Sequence, residues 1–133
     1  MYLVLALGAI LAFMAILFIQ SGLDKVFDFQ GNMEWLKGHF SNSPLKGMVG
    51  FMVVTLTLLE LASGVSSLLG LIYLIGMGIE AAQPIANYAM ILCSTSFLAL
   101  FFGQRMAKDY AGAASIPAYF IIAVIGFILL SLI

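Results

Sequence analysis

Glu60 is the side chain whose presence demands a chemical reason. It lies in LTLLELASG, inside a stretch from Met48 to Ile75 that holds no other charge. Counted from Met48, it sits about 18 Å along a helix axis, near the middle of a hydrocarbon core about 30 Å thick. A carboxylate there costs on the order of 2.5–3.5 kcal/mol, so it is expected to face the interior of a bundle and to take a partner. Two roles stay open for it. It is a proton-relay group or a polar contact to a quinone or substrate head, or else a neutral carboxyl bonded to a Ser, Thr or backbone carbonyl of a neighbouring helix. Desolvation favours the neutral form of any acid without a partner.

A second set of polar residues gathers where apolar stretches end. Gln20, Ser21, Gly22, Asp24 and Lys25 follow the first stretch, and Gln104, Arg105, Lys108 and Asp109 follow the third. Asp24, Lys25, Gln104 and Arg105 form a candidate mouth that binds an anionic head group or a partner. Pairing of Lys25 or Asp24 with Arg105, Lys108 or Asp109 across that mouth is worth only about 0–1 kcal/mol at a surface. The alternative is that each basic side chain snorkels to the head groups by itself. His39 is a lone imidazole and reads as a surface residue. Cys93 reads as a small apolar filler. Asn87, Tyr88, Ser94, Thr95 and Ser96 either line a polar pocket or hydrogen-bond across helices. No nucleophile–base pair, phosphate-cradling glycine loop or metal motif is present in the sequence, so no catalytic or metal residue is assigned.

The elements that must position these residues are set by composition. The 133-residue chain is 64% hydrophobic and 8% charged, with five Lys+Arg and six Asp+Glu. That leaves too little polar surface for a soluble domain, and too much hydrophobicity for disorder. A net charge of −1 gives no nucleic-acid footprint. With one Cys and one His, the chain has no internal disulfide, no Cys/His zinc site, no bis-His haem and no Cys-ligated iron–sulfur cluster. Any redox chemistry belongs to a partner or a diffusible cofactor.

Apolar stretches at 2–19, 48–75, 85–102 and 116–133 predict four transmembrane helices in one domain covering 1–133. The first reads as a span and not as a cleaved signal, because no basic residue precedes it and no A-x-A site follows. Lys25, Lys37 and Lys46 fall between spans one and two, and Arg105 and Lys108 between spans three and four. The opposite connection holds only Glu80. The positive-inside bias therefore predicts both basic loops in the cytoplasm and both termini outside. Residues 21–47, SGLDKVFDFQGNMEWLKGHFSNSPLKG, mix aromatics with charges and read as an interfacial segment anchored by Trp35, broken at Gly31-Asn32 and ended by Asn42-Ser43-Pro44.

Span two carries small residues at helical spacing. Ala62, Ser66 and Gly70 recur every fourth position, with Ser63 and Ser67 beside them. Small residues let backbones approach closely in lipid, so this span is expected to be the central packing helix.

The order of features resembles the DoxX family of small four-helix bacterial membrane proteins. A first helix ends in a Gly-then-Lys element, FIQSGLDKVFDF. A second carries Glu followed by small residues and a final Gly, LLELASGVSSLLG, and two further apolar helices follow. By position, Gly22, Lys25, Glu60, Gly64 and Gly70 match the family pattern. Many members carry a basic residue just after the second helix, where this chain reads GLIYLIGMGIEAAQP with only Glu80. The resemblance implies similarity to the membrane subunit of a thiosulfate–quinone oxidoreductase and, for some members, association with soluble redox enzymes.

The expectation is thus an all-α, up-down four-transmembrane-helix bundle of the bacterial inner membrane, with an interfacial segment between helices one and two. As function we expect an accessory subunit, without its own redox centre, of a larger membrane complex, respiratory or quinone-linked. It would contact membrane lipids and other membrane subunits, with quinone or lipid as possible ligands and no cofactor of its own. Two alternatives stand beside it: a stand-alone bundle that binds or moves a small hydrophobic solute or a proton, and a quinone-reactive subunit that contributes catalytic residues.

Overall fold

The computed structural model describes all residues, 1–133. Helix α1 runs Tyr2–Phe27, α2 Phe29–His39, α3 Val49–Met77, α4 Ile79–Met106, α5 Tyr110–Ala113 and α6 Ile116–Leu132, with a 3-10 turn at Lys46–Met48 and no strand. Four helical segments are long and apolar enough to cross a membrane. The chain is an all-α membrane bundle.

Neighbouring segments in sequence are neighbours in space. α3 packs against α1 and α4, α4 against α6, and α6 closes back on α1. The contacts run in opposite directions along each pair. Gly8 meets Leu71 and Leu74 near one end of the α1/α3 interface, while Gly22 meets Leu61 further along it. The topology is therefore up and down.

The helices exceed the apolar stretches that announced them. The first apolar stretch stops at Ile19, but the helix continues to Phe27, which puts Gln20, Ser21, Gly22, Asp24 and Lys25 on regular helix. Its 26 residues reach about 39 Å at 1.5 Å each, longer than the hydrocarbon core. α4 starts at Ile79 with Pro84 inside it. Pro84 falls close enough to the N-terminus that the donor it lacks disturbs only the opening turns. The connection between α3 and α4 is thus reduced to Gly78, at φ 91° and ψ 177°. Only glycine adopts that backbone without strain.

α2 corrects the expected break at Gly31-Asn32, which lies in its first turn. The Asp28 side chain accepts from the Gly31 N–H at 3.3 Å, and Asn32 Nδ2 donates to the Asp24 and Asp28 carbonyls at 3.3 and 2.9 Å. Asp28 is thus an N-cap that satisfies donors a helix start leaves bare. No residue of α2 is buried. Its attachment is a small apolar cluster of Phe40, Val49 and Val53, with Met33, Leu36 and Leu45 packed on it.

The main core takes Leu7, Leu11, Met14 and Phe18 from α1, and Ala86, Ala89, Met90, Cys93 and Phe97 from α4. α3 is different. Its buried stripe is Val49, Val53, Thr57, Glu60, Ser63, Gly64, Ser67 and Gly70, while Leu58, Val65, Leu68, Leu69 and Ile72 face outward. Small and polar residues inside with large apolar ones outside is the arrangement lipid favours, because lipid gives no hydrophobic drive to bury leucine.

Candidate functional site

The centre of interest lies where α1 and α3 come closest. Gly64 and Gly22, both buried, set that approach. A Cβ on Gly64 would stand 2.7 Å from the Ile19 backbone nitrogen, and one on Gly22 2.5 Å from Leu61 Cδ2. Gly64 is thus held by backbone against backbone, which no side-chain rotation relieves.

That approach delivers Lys25, in the last turn of α1, to Glu60. Lys25 Nζ lies 3.0 Å from Glu60 Oε1, with the lysine side chain 14% exposed and the glutamate 0%. The ammonium also donates to Ser21 Oγ at 3.0 Å, and Ser21 O lies at 3.5 Å. Neither Glu60 oxygen has a partner in hydrogen-bond geometry, so the ammonium contact is electrostatic and imperfectly aligned.

This corrects two expectations. Lys25 does not pair with Arg105, Lys108 or Asp109 across the mouth; it turns inward to a buried acid. Glu60 is not bonded as a lone acid to Ser, Thr or a carbonyl. Although it is well inside α3, it stands level with the last turn of α1, which carries Lys25. Its distance along α3 overstated its distance from the α1 terminus.

Beyond Glu60 a polar column continues along the α3/α4 interface. Ser63 Oγ donates to Leu59 O at 2.7 Å and lies 2.8 Å from Ser96 Oγ. Ser67 Oγ donates to Ser63 O at 2.7 Å and lies 3.6 Å from Cys93 Sγ. Cys93 therefore fills space in the core and also meets a serine. Of the other polar candidates on α4, Ser96 alone bonds across helices. Asn87, Tyr88 and Thr95 are exposed, and Ser94 returns its hydroxyl to Met90 O of its own helix. The small-residue row is displaced as well. Ser63, Ser67 and Gly70 are buried and Ser66 is half-buried, but Ala62 faces outward, and Gly64 takes the close contact instead.

The four-residue mouth does not assemble. Asp24 is exposed, and Lys25 goes to Glu60. Arg105 lies over the Tyr110 ring at 4.8 Å. Gln104 meets His39 instead, with His39 Nε2 3.1 Å from Gln104 Oε1 and 3.4 Å from Asp109 Oδ2. Trp35, 62% exposed, stacks on the same imidazole at 4.6 Å. The histidine expected on the surface is the tie between the α1–α3 connection and the α4–α6 connection. Asp109 also caps α5 through the Gly112 N–H at 2.9 Å, so its carboxylate serves both elements. The i+3 relation of Asp109 to Gly112 was the available signal for the cap; nothing local announced His39.

His39 and Gln104 stand at the polar end of an apolar groove of about 280 Å³. Phe51, Met52, Leu56 and Leu59 of α3 line one wall, Ala99, Leu100, Phe102 and Gly103 of α4 the other, and Leu36, Phe40, Leu45 and Met48 close the α2 end. Composition signalled none of this, because the groove is made of residues that looked like lipid-facing filler.

No curated protein and no solved structure matches the chain. The DoxX family model matches residues 6–85, a stretch that takes in most of α1, all of α2 and α3, and the close α1/α3 contact with both Lys25 and Glu60, and the chain belongs to the DoxX family.

Proposed function

We propose that this DoxX-family membrane protein is an accessory subunit, without a redox centre of its own, of a larger bacterial inner-membrane complex, a respiratory or other quinone-linked oxidoreductase. The observation that supports it is the groove between α3 and α4: apolar along its length, with His39 and Gln104 at one end. At about 280 Å³ it lies at the lower edge of the usual range for ligand sites. It suits a ring head and the first unit of a hydrocarbon tail, whose remainder would continue into the bilayer. Asp109 beside His39 disfavours a phosphate there and leaves a neutral carbonyl-bearing head as the better match. A lipid chain is the competing occupant.

The basic residues Lys37, Lys46, Arg105 and Lys108 all lie at the α2 end of the bundle, and Glu80 in the first turn of α4 at the opposite end. By the positive-inside bias the α2 end is cytoplasmic and both chain termini are outside. The exposed apolar faces of α3 and α6 meet lipids and neighbouring membrane subunits.

Purification of the tagged protein from its native membrane in mild detergent tests the reading, with mass spectrometry, an absorbance spectrum and quinone extraction on the eluate. Stoichiometric haem-, flavin- or iron–sulfur-bearing subunits are expected, with quinone present and lost when Leu100→Trp fills the groove. A folded, colourless protein that elutes alone defeats the accessory role and leaves a self-contained bundle.

A further inference from the structure

The outward side of α4 carries a polar group that lipid does not suit. Asn87 is exposed there, beside Tyr88 at 68% exposure. Its polar neighbours on the helix are bonded within the chain. Gln83 Nε2 donates to Leu130 O at 3.4 Å, Ser94 Oγ to Met90 O at 2.7 Å and Thr95 Oγ1 to Ile91 O at 2.8 Å. The Asn87 amide makes no such bond.

Its depth follows from its neighbours. A Cβ on Gly70 would stand 3.7 Å from the Ala86 nitrogen, and Gly70 lies about 10 Å short of the α3 terminus at Met77. Asn87 is also about 10 Å along α4 from Glu80, the charge at that end. At this level the other helices face outward with Leu68, Leu69 and Ile72 of α3 and Ile125, Phe127 and Ile128 of α6. A bare amide among such residues faces hydrocarbon, where no water compensates it.

We propose that this face of α4 binds α4 of a second copy of the chain, with the Asn87 amides of the two copies paired across a two-fold axis along the membrane normal. An amide carries donors and an acceptor together, so it is complementary to itself. Copies inserted with one topology are related by such an axis, which sets their α4 helices parallel and each residue opposite its equivalent. The second copy therefore brings the complement that Asn87 lacks. Around it, Pro84, Tyr88, Ile91, Thr95, Leu98 and Phe102 are all exposed, at alternating spacings of four and three. That is the seam of a left-handed parallel helix pair. Between Glu80 and Arg105 the helix has no charge, so the in-register pairing sets no like charges together inside the membrane. The inference stands apart from the groove and from any redox partner.

Cross-linking in native membranes, where every copy has one topology, tests it on the full chain. In a Cys93→Ala background, Ile91→Cys should give a disulfide-linked dimer under a permeant oxidant, and Leu58→Cys, on the outward side of α3, should not. Mass spectrometry of the linked band should find this chain and no other protein. Adding Asn87→Leu should lower the dimer fraction, and Asn87→Gln, which keeps an amide, should retain it. In lipid vesicles, energy transfer between copies labelled at Glu34→Cys should show Asn87→Leu raising the dissociation constant about tenfold. Absence of the Ile91→Cys dimer, equal linkage from Leu58→Cys, or a linked band that contains a different protein would overturn the second copy as occupant. A dimer that Asn87→Leu leaves undiminished in both measurements would overturn the amide pairing.

Discussion

Lys25 in the last turn of α1 and Glu60 on α3 stand 3.0 Å apart, the glutamate fully buried and the lysine nearly so. They are 35 positions apart in the chain, and the close approach of α1 and α3 at Gly22 and Gly64 brings them together. The charges stabilise each other, but each has given up water to do so. The pair is therefore costly to break and far less costly to remove.

Removing one partner should expose that asymmetry. Lys25→Met or Glu60→Gln leaves the other charge buried without its partner, and is expected to cost about 3 kcal/mol. The double variant Lys25→Met/Glu60→Gln should lie closer to wild type than the sum of the single losses. Thermal unfolding in detergent, arranged as a double-mutant cycle, measures the coupling; additive losses would mean the two side chains do not interact.

Gly64 and Ala62 should respond in opposite ways. Gly64→Ala forces a Cβ to within 2.7 Å of the Ile19 backbone nitrogen, so α1 and α3 must separate, at about 1–3 kcal/mol. Ala62→Leu, on an exposed position, should leave the unfolding temperature and elution profile unchanged. Gly22→Ala meets the flexible Leu61 side chain and should fall between them. A Gly64→Ala protein as stable as wild type would show that the two helices are free to slide apart.

The hydroxyl pair is a smaller matter. Ser63 Oγ and Ser96 Oγ lie 2.8 Å apart, and interhelical hydrogen bonds in membranes average about 0.6 kcal/mol. Ser96→Ala is expected to cost about that much, well below Gly64→Ala. A loss as large as that of the glycine variant would reveal a wider network than the serine pair.

His39→Ala should free the α1–α3 connection from the α4–α6 connection. Both Nε2 contacts, to Gln104 and Asp109, disappear, while the cluster around Phe40 keeps the bundle closed. Trypsin should then cut after Lys37 and Lys46 faster than in wild type, with the unfolding temperature little moved. Equal cleavage rates in both proteins would show that the apolar cluster alone holds the segment.

Topology can be read with single cysteines in a Cys93→Ala background. Glu34→Cys and Lys108→Cys, at exposed positions on the same end of the bundle, should be labelled by an impermeant maleimide from one and the same side, and Glu80→Cys from the other. The charge bias makes the first side cytoplasmic. Labelling of residues 34 and 80 from a common side would contradict the up-down bundle itself.

What the sequence determined by itself follows from local physics. Long uncharged stretches must become helices in lipid, because no water satisfies a bare backbone; that made the all-α bundle, its four spans and the membership suggested by FIQSGLDKVFDF and LLELASGVSSLLG legible. A carboxylate among leucines had to turn inward, so Glu60 stood out in the sequence. Its partner did not. The sequence offered Glu60 a Ser, Thr or backbone carbonyl and kept Lys25 for the mouth with Asp24, Gln104 and Arg105; only the register of α1 against α3, set by Gly22 and Gly64, brought Lys25 to Glu60. Apolar periodicity likewise ended α1 at Ile19, since hydropathy reports the lipid boundary while backbone hydrogen bonds run on to Phe27. Ala62 and Ser63 are neighbours of similar size, and the rotation of α3 about its axis decided which was buried. His39 met Gln104 and Asp109 because folding brought two connections to one end of the bundle. Residue type and spacing constrain each helix, but depth, rotation and register belong to pairs of helices, and those were fixed by tertiary packing.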